Sequence, residues 1–396
     1  MKKILSAVML LVTVHTAYPQ KKSVKSQFKF VESQTEFLLG EIKKKGHVPE
    51  LVSPRTLEGG ELKMVSSRDW TSGFFPGILW YLYEYTGERK WLDQAKAYTA
   101  KLEKEQYNKG THDLGFMIYC SYGSGYRLTG DENYNNIIVN AARSLSSRFN
   151  PKTGVIKSWD HRADLWAYPV IIDNMMNLEL LFKATEITGD SSFYKLAVSH
   201  ANNTLKNHFR SDNSSYHVID YDPENGHVLK KETHQGYSHE SAWARGQAWA
   251  LYGFTMSYRA TRDPRYLEQA KQVASYILNH PKLPKDKIPF WDFDDPALPN
   301  ISRDASAGAI IASALYELSE HTGRKAYRKK ANKMLRSLTK FYRSPENGNS
   351  GFILDHSTGH RPHHSEIDVP LTYADYYYVE ALLRRSGKFN FQAGMF

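Results

Sequence analysis

Two aspartates have the clearest capacity for acid–base chemistry. Asp113 lies in the segment Thr-His-Asp-Leu-Gly-Phe (residues 111–116), and Asp173 is flanked by two isoleucines and two methionines (residues 171–176). A carboxylate in an apolar setting is costly, so its presence indicates a purpose. Two carboxylates that share an enclosed space separate each other's pKa values, leaving one protonated and one ionised. The pair therefore predicts general acid and base catalysis.

Either aspartate could instead be a helix cap, because Asp is a preferred N-cap residue. The apolar neighbours of Asp173 argue against a cap at that position, whereas the role of Asp113 stays open. Asp368, which precedes Val369 and Pro370, is expected to be a cap. The acidic residues that compete for a catalytic role are Asp69, Asp304, Asp368 and Asp375.

Three tryptophans are candidates for sugar binding, because their flat faces can stack on pyranose rings. They are Trp70, Trp159 and Trp249. The alternative for any tryptophan is core packing, which we expect for Trp80 and Trp91. We do not expect core packing for Trp159, because its neighbours in the sequence are typical of a loop. An acidic sugar would complete such a site.

Arg245 lies on an apolar helical segment and needs an anion there, either a protein carboxylate or a uronic acid carboxylate of the substrate. Metal binding is not predicted. His234 and His239 are five positions apart rather than the four of a zinc-binding helix. The remaining histidines of interest lie in a loop with Gly and Pro where exposure is expected: His356, His360, His363 and His364. We predict no metal and no cofactor.

The elements that must position these residues form a repeat of ~60 residues, the signature of a repeat architecture. A Thr-Gly-type turn is followed five positions later by an aromatic residue, in the pairs Thr86/Trp91, Thr129/Tyr134, Thr188/Phe193, Thr261/Tyr266 and Thr322/Tyr327. Trp70, Asp113 and Arg245 each precede their threonine by 16 positions, and Asp173 precedes its threonine by 15. Residues at one offset in successive repeats reach the same rim, which predicts a single site.

The two helices of each repeat differ in pattern. Segments before the turns, such as residues 78–83 and 307–312, are apolar on most sides, as expected of helices surrounded by protein. Segments after the turns, such as residues 266–277, carry one apolar stripe and one polar face. The sixth repeat lacks its second helix, which residues 28–42 can supply. We therefore predict an all-α fold, a closed double ring of six helical hairpins, with short hairpin strands near residues 154–157 and 216–219.

The chain has 396 residues, of which 1–20 read as a secretory signal peptide with two lysines, an apolar run and a small-residue end. We expect residues 21–396 to form one barrel domain, exported to the periplasm, without a membrane span, as a monomer or weak homodimer. Cys120 is the single cysteine, so a disulfide within the chain is impossible.

The net charge of +10 favours acidic partners. Nucleic acid is disfavoured, because the Lys and Arg residues form no basic run with interleaved aromatics. Acidic polysaccharide fragments fit an exported basic protein better.

Five motifs resemble those of the unsaturated glucuronyl hydrolases of glycoside hydrolase family 88. They span residues 70–77, 111–116, 234–236, 244–249 and 366–377, and the resemblance extends from about residue 30 to 385. It implies an (α/α)6 barrel, with Asp173 as general acid and base and Asp113 as a second essential carboxylate. The positions that match the family's substrate contacts are Trp70, Trp159, His217, Gln235, Arg245 and Trp249.

The resemblance implies removal of a 4,5-unsaturated uronic acid from the non-reducing end of oligosaccharides made by polysaccharide lyases. Asp173 would protonate C4, water would add at C5, and the hemiketal would open. The charge and the loop around Arg361 favour heparin or heparan fragments over chondroitin or hyaluronan. Alternatives are an unsaturated rhamnogalacturonyl hydrolase and, more distantly, a helical-toroid epimerase or a non-catalytic carbohydrate-binding protein.

Overall fold

A computed structural model describes residues 18–46 and 48–389. The segment predicted as a signal peptide lies largely outside these, since residues 1–17 are not described. The inner helices or helical segments are α2 (Phe74–Thr86), a π-helix (Gly115–Gly123) continued by α4 (Ser124–Thr129), a 3-10 helix (Ile172–Asn177) continued by α6 (Leu178–Thr188), α8 (Ala244–Thr261), α10 (Ala305–Thr322) and α12 (Thr372–Ser386). The outer helices are α1 (Tyr18–Lys44), α3 (Arg89–Ala100), α5 (Asn133–Ser146), α7 (Ser191–Asn207), α9 (Pro264–Asn279) and α11 (Lys325–Phe341).

The inner helices form a closed ring, in which each packs on the next and α12 packs back on α2. Helix α1 lies against α12 and so supplies the outer helix of the sixth hairpin. Phe28 of α1 is fully buried and stacks on Tyr85 with 3.6 Å between ring centroids. The predicted (α/α)6 barrel is therefore confirmed. None of the helices in the described ranges is long and apolar enough to cross a bilayer.

The recurring threonine has a defined role in each turn between an inner and an outer helix. Its hydroxyl donates to the carbonyl four residues earlier and accepts from the amide two residues later, which satisfies groups that a helix end leaves free. The next residue ends the helix in a left-handed conformation, at Gly87 for example. The same pair of hydrogen bonds occurs at Thr86, Thr129, Thr188, Thr261 and Thr322.

Short antiparallel strands decorate the rim where the inner helices begin. The two segments that we expected to be strands overlap the observed strands Val155–Ile156 and Val218–Tyr221. The sheets comprise β1 (Leu51–Glu58) with β2 (Glu61–Ser66), β3 (Phe149–Asn150) with β4 (Val155–Ile156), β5 (Pro169–Ile171) with β6 (Val218–Tyr221) and β7 (Val228–Glu232), and β8 (Ser357–His360) with β9 (Ser365–Val369).

A buried polar cluster ties four inner helices together on the axis of the barrel. Glu380 of α12 accepts from Tyr81 of α2 at 2.9 Å and from Tyr252 of α8 at 2.9 Å. It also accepts from Ser313 of α10 and from Arg384 one turn later. Hydrogen-bonded partners offset the desolvation cost of the carboxylate. We call these five residues the Glu380 cluster.

Candidate active site

A cleft of about 460 Å³ opens at the end of the barrel where the inner helices begin. The repeat offset predicted this rim, because it places one functional residue near the start of four of the six inner helices. Six of the eight predicted site residues line the cleft: Trp70, Asp113, Trp159, Asp173, Gln235 and Arg245. His217 and Trp249 lie behind its wall.

The three-stranded sheet brings Asp173 and His217 together. Strand β5 pairs with β6 so that Ile171 faces Val218, and the amide of Ile172 donates to the carbonyl of His217 at 3.0 Å. Asp173, just after the end of β5, therefore lies beside His217, the residue that precedes β6. Its carboxyl Oδ2 lies 3.7 Å from Nε2 of His217. Register in a sheet, rather than helix phase, sets this contact.

Asp113 is held from both sides by its sequence neighbours. The hydroxyl of Thr111 donates to Oδ2 at 3.1 Å, and Nε2 of His112 lies 3.2 Å from Oδ1. The segment is anchored to the next repeat at Gly115, where an added Cβ would lie 2.6 Å from Cα of Asn177. Glycine is therefore required at this close approach.

Burial raises the pKa of Asp173 to about 7. The Arg245 guanidinium opposes this rise, and the charge of Asp113 adds to it. We expected repulsion between the carboxylates to dominate, but desolvation is the larger cause. Oδ2 of Asp173 is buried without a hydrogen-bond partner in the described part of the chain. Near pH 7 this carboxyl group can therefore both give and take a proton.

His217 is a neutral imidazole with a defined tautomer. Its Nδ1 accepts from the backbone amides of His234 and Gln235, each at 3.1 Å. Burial lowers its pKa well below the usual value. The remaining proton is therefore on Nε2, the atom nearest Asp173. His217 can donate to that carboxylate but cannot compete as a base.

Arg245 has a protein carboxylate partner, one of the two kinds of anion that the sequence left open. Its Nη1 lies 3.1 Å from Oδ2 of Asp304 and donates to the carbonyl of Thr358 at 2.5 Å. Its Nη2 donates to the carbonyl of Gly359 at 2.7 Å. The side chain borders the cleft, yet most of its hydrogen-bonding capacity is used within the protein. Contact with a substrate carboxylate stays a prediction for this side chain.

The tryptophans divide into two classes. Trp70 and Trp159 are half-buried and line the cleft, as the stacking prediction requires. Trp249 is fully buried between Phe116 and Tyr377, with ring centroids 5.2 and 5.4 Å away. Its expected stacking face is therefore covered. Its indole N–H instead favours the charged form of Asp173 and helps to lower that pKa.

The competing aspartates have structural partners. Asp69 accepts from the amide of Thr71 and from Arg55. Asp304 caps α10, and Asp375 accepts from two backbone amides. Asp368 lies within β9 and is paired with His356 at 2.8 Å, so the prediction that it is a cap was wrong.

Sequence reasoning missed several residues that line the cleft. Arg55 reaches across to Asp69 at 2.7 Å and Glu366 at 2.5 Å. Arg68 is exposed at the mouth and, within the described ranges, has no carboxylate partner. His234 and His360 are half-buried in the wall, although we expected His360 to be exposed, and burial lowers their pKa values to about 4 and about 3. Arg361, whose loop we expected to favour heparin or heparan fragments, does not line the cleft and lies over Trp291.

Comparison with known proteins agrees with this geometry. The Glycosyl Hydrolase Family 88 model matches residues 52–388. An unsaturated glucuronyl hydrolase of Formosa agariphila is 49% identical, over 81% of this chain and 81% of its own length. An unsaturated chondroitin disaccharide hydrolase of Streptococcus pneumoniae is 35% identical, over 81% and 83%. A crystal structure of an unsaturated glucuronyl hydrolase specific for heparin is 47% identical with a TM-score of 0.86, over 93% of this chain and 97% of that one.

The family match spans most of the chain, and the aspartates of its cleft are arranged for glycoside chemistry. The chain is a glycosidase and belongs to glycosyl hydrolase family 88.

Proposed function

We propose that this glycosidase removes a 4,5-unsaturated uronic acid from the non-reducing end of glycosaminoglycan fragments, with heparin or heparan fragments favoured over chondroitin fragments. The observation that carries the catalytic part is Asp173. It borders the cleft, its Oδ2 has no hydrogen-bond partner in the described ranges, and its pKa is about 7. Such a group donates and recovers a proton within one turnover.

The first step transfers the proton of Asp173 to C4 of the substrate. The C4–C5 double bond supplies the electron pair for the new C–H bond, and positive charge develops at C5 and the ring oxygen. Asp113 faces the same cleft and stabilises this charge electrostatically. His112 and Thr111 keep its oxygens in position.

The second step adds water at C5. Asp173, now a carboxylate, takes a proton from the water as its oxygen bonds to C5. His217 supports the carboxylate form, because its Nε2 proton lies on the side of Oδ2. The product is a hemiketal at C5. Its bond between C5 and the ring oxygen opens to give a ketone, which leaves C1 as a hemiacetal, and breakdown of that hemiacetal to an aldehyde releases the second sugar as an alcohol. The acid is thereby restored to its starting state.

The substrate preference has two supports. The structure specific for heparin resembles this chain more closely, at 47% identity, than the chondroitin disaccharide hydrolase of S. pneumoniae does, at 35%. In addition, Arg68 presents a guanidinium at the mouth of the cleft, whereas Arg55 and Arg245 are engaged with carboxylates. A guanidinium matches the geometry of sulfate and carboxylate groups.

A panel of unsaturated disaccharides tests the proposal through loss of the ultraviolet absorbance of the double bond. Heparin-type disaccharides should show the highest kcat/KM, chondroitin-type ones a lower value. Arg68→Ala should raise KM several-fold for disaccharides with an anionic second sugar and change it little for neutral ones. Arg89→Ala, on the exposed face of α3, is the matched control.

Faster turnover of chondroitin disaccharides would overturn the substrate preference alone. Faster turnover of unsaturated rhamnogalacturonan fragments than of every glycosaminoglycan disaccharide would overturn the substrate class.

A further inference from the structure

Three histidines from two separate loops meet at the cleft wall. His234 follows β7, His360 ends β8, and His363 begins the turn to β9. Nε2 of His234 lies 3.4 Å from Nε2 of His360, and the rings of His360 and His363 stack with centroids 3.9 Å apart. One ring nitrogen from each residue lies within 4.8 Å of the other two. We call these residues the histidine cluster.

The spacing matches a metal site better than a hydrogen-bonded pair. Tetrahedral zinc with Zn–N bonds of about 2.0–2.1 Å separates two ligand nitrogens by roughly 3.3 Å, close to the separation of His234 and His360. A hydrogen bond between two imidazoles would use one nitrogen of each and give no role to the third ring. Three imidazole nitrogens this close are the ligand set of zinc, copper and nickel, while magnesium and calcium require oxygen ligands. The rings of His360 and His363 are stacked, so the exposed ring of His363 would turn to direct a nitrogen at an ion shared with His360.

We propose that His234, His360 and His363 form a binding site for a divalent transition metal, zinc in particular, in the wall of the catalytic cleft. His234 and His360 both line the cleft, so a fourth coordination position would face the space beside Gln235. Three protein ligands with an open fourth position are typical of zinc sites that contact solvent or substrate.

The site would cross-link two loops that are 126 positions apart in the chain. Apart from this cluster, the side chain of Gln235 in the loop after β7 donates a hydrogen bond to the carbonyl of Gly359 in β8 at 3.2 Å. A bound ion would add three coordination bonds between the same segments. Metal binding should therefore stabilise the folded state by mass action.

The experiment titrates metal-free full-length protein, without an affinity histidine tag, with Zn²⁺ in a calorimeter and with Co²⁺ in a visible spectrometer. We expect one ion per chain, intense bands typical of tetrahedral or five-coordinate Co²⁺, and a higher Tm with Zn²⁺. His234→Gln, His360→Gln and His363→Gln should each weaken Zn²⁺ binding by at least tenfold. His227→Gln, exposed in the β6–β7 turn, is the control and should bind as the parent does.

His363 is exposed, so its substitution leaves the core intact and keeps the test decisive even if another variant misfolds. The proposal fails if the parent binds no Zn²⁺ at micromolar concentrations. It also fails if the His363→Gln variant binds Zn²⁺ as tightly as the His227→Gln control. Binding is measured without substrate, so neither result bears on the proposed hydrolase activity.

Discussion

The guanidinium of Arg245 lies 3.1 Å from Asp304, and the two side chains are 1% and 0% exposed. The pair joins the first turn of α8 to the residue that caps α10. Arg245 also donates to two carbonyls of β8 and lowers the pKa of Asp173. The buried guanidinium of Arg245 therefore joins α8, α10 and β8 around the cleft and also influences the protonation of Asp173.

Arg245→Lys should lower stability as well as activity. A lysine keeps the charge but cannot reproduce the planar set of donors to Asp304, Thr358 and Gly359, so we expect a loss of about 1–3 kcal/mol. Asp304→Asn should cost about 3–5 kcal/mol, because it leaves a buried cation unpaired. Urea denaturation measures both, with Arg89→Lys as the exposed control. Unchanged midpoints in both variants would show that the pair is dispensable.

Asp173→Asn should reduce kcat by at least ~10²–10⁴-fold, because the amide cannot transfer a proton. Substrate should still bind, since the side chain keeps its size and the cleft keeps its shape. Steady-state kinetics measures the first effect and calorimetry with an unsaturated disaccharide the second. Asp93→Asn on the outer helix α3 is the control. A variant with half the parent rate would remove Asp173 from the mechanism.

The activity should fall as the pH rises through about 7, because the reaction begins from protonated Asp173, whose pKa is about 7. The charge of Asp113 raises that pKa, so Asp113→Asn should move the alkaline limb to lower pH and also reduce the rate. The pH dependence of kcat gives the pH at which the activity of each variant declines. A limb that moves to higher pH would contradict the assigned coupling.

The stability of the Asp173→Asn variant relative to that of the parent should increase as the pH rises. The folded-state pKa of Asp173 lies above the unfolded value, so its contribution is present below pH ~4 and is lost as the pH rises through about 7. The shift corresponds to roughly 4 kcal/mol at most. Thermal unfolding at pH 5 and pH 8 measures the difference, and Asp93→Asn should show none. An equal Tm advantage at both values would refute the linkage.

The barrel could be predicted because the sequence patterns that specify it are local. Each Thr-Gly turn and each apolar stripe is contained within one repeat, and successive turns follow at intervals of 43, 59, 73 and 61 residues. We predicted that the N-terminal helix closes the ring because the sixth repeat lacks its own second helix. The π-helix of residues Gly115–Gly123 was not predicted, and its first residue packs closely on Asn177 of the next repeat, a contact that no local pattern shows.

The site was predictable where a functional residue keeps a fixed offset to its turn, as Asp113 and Asp173 do. The site was not predictable where interacting residues come from distant segments of the chain. Arg245 and Asp304 are 59 positions apart, and no local pattern links them. The burial of Trp249 depends on Phe116 and Tyr377, which come from other repeats. His234 and His360 meet only through the folding of two loops.

The Glu380 cluster has a consequence for synthesis on the ribosome. Its members come from α2, α8, α10 and α12, so the central carboxylate emerges after all but one of its partners. Until α12 leaves the exit tunnel, Tyr81, Tyr252 and Ser313 lack the acceptor that they share. The contacts that join α2, α8 and α10 to Glu380 can therefore form only after α12 has emerged, so we expect the inner ring to close late in folding.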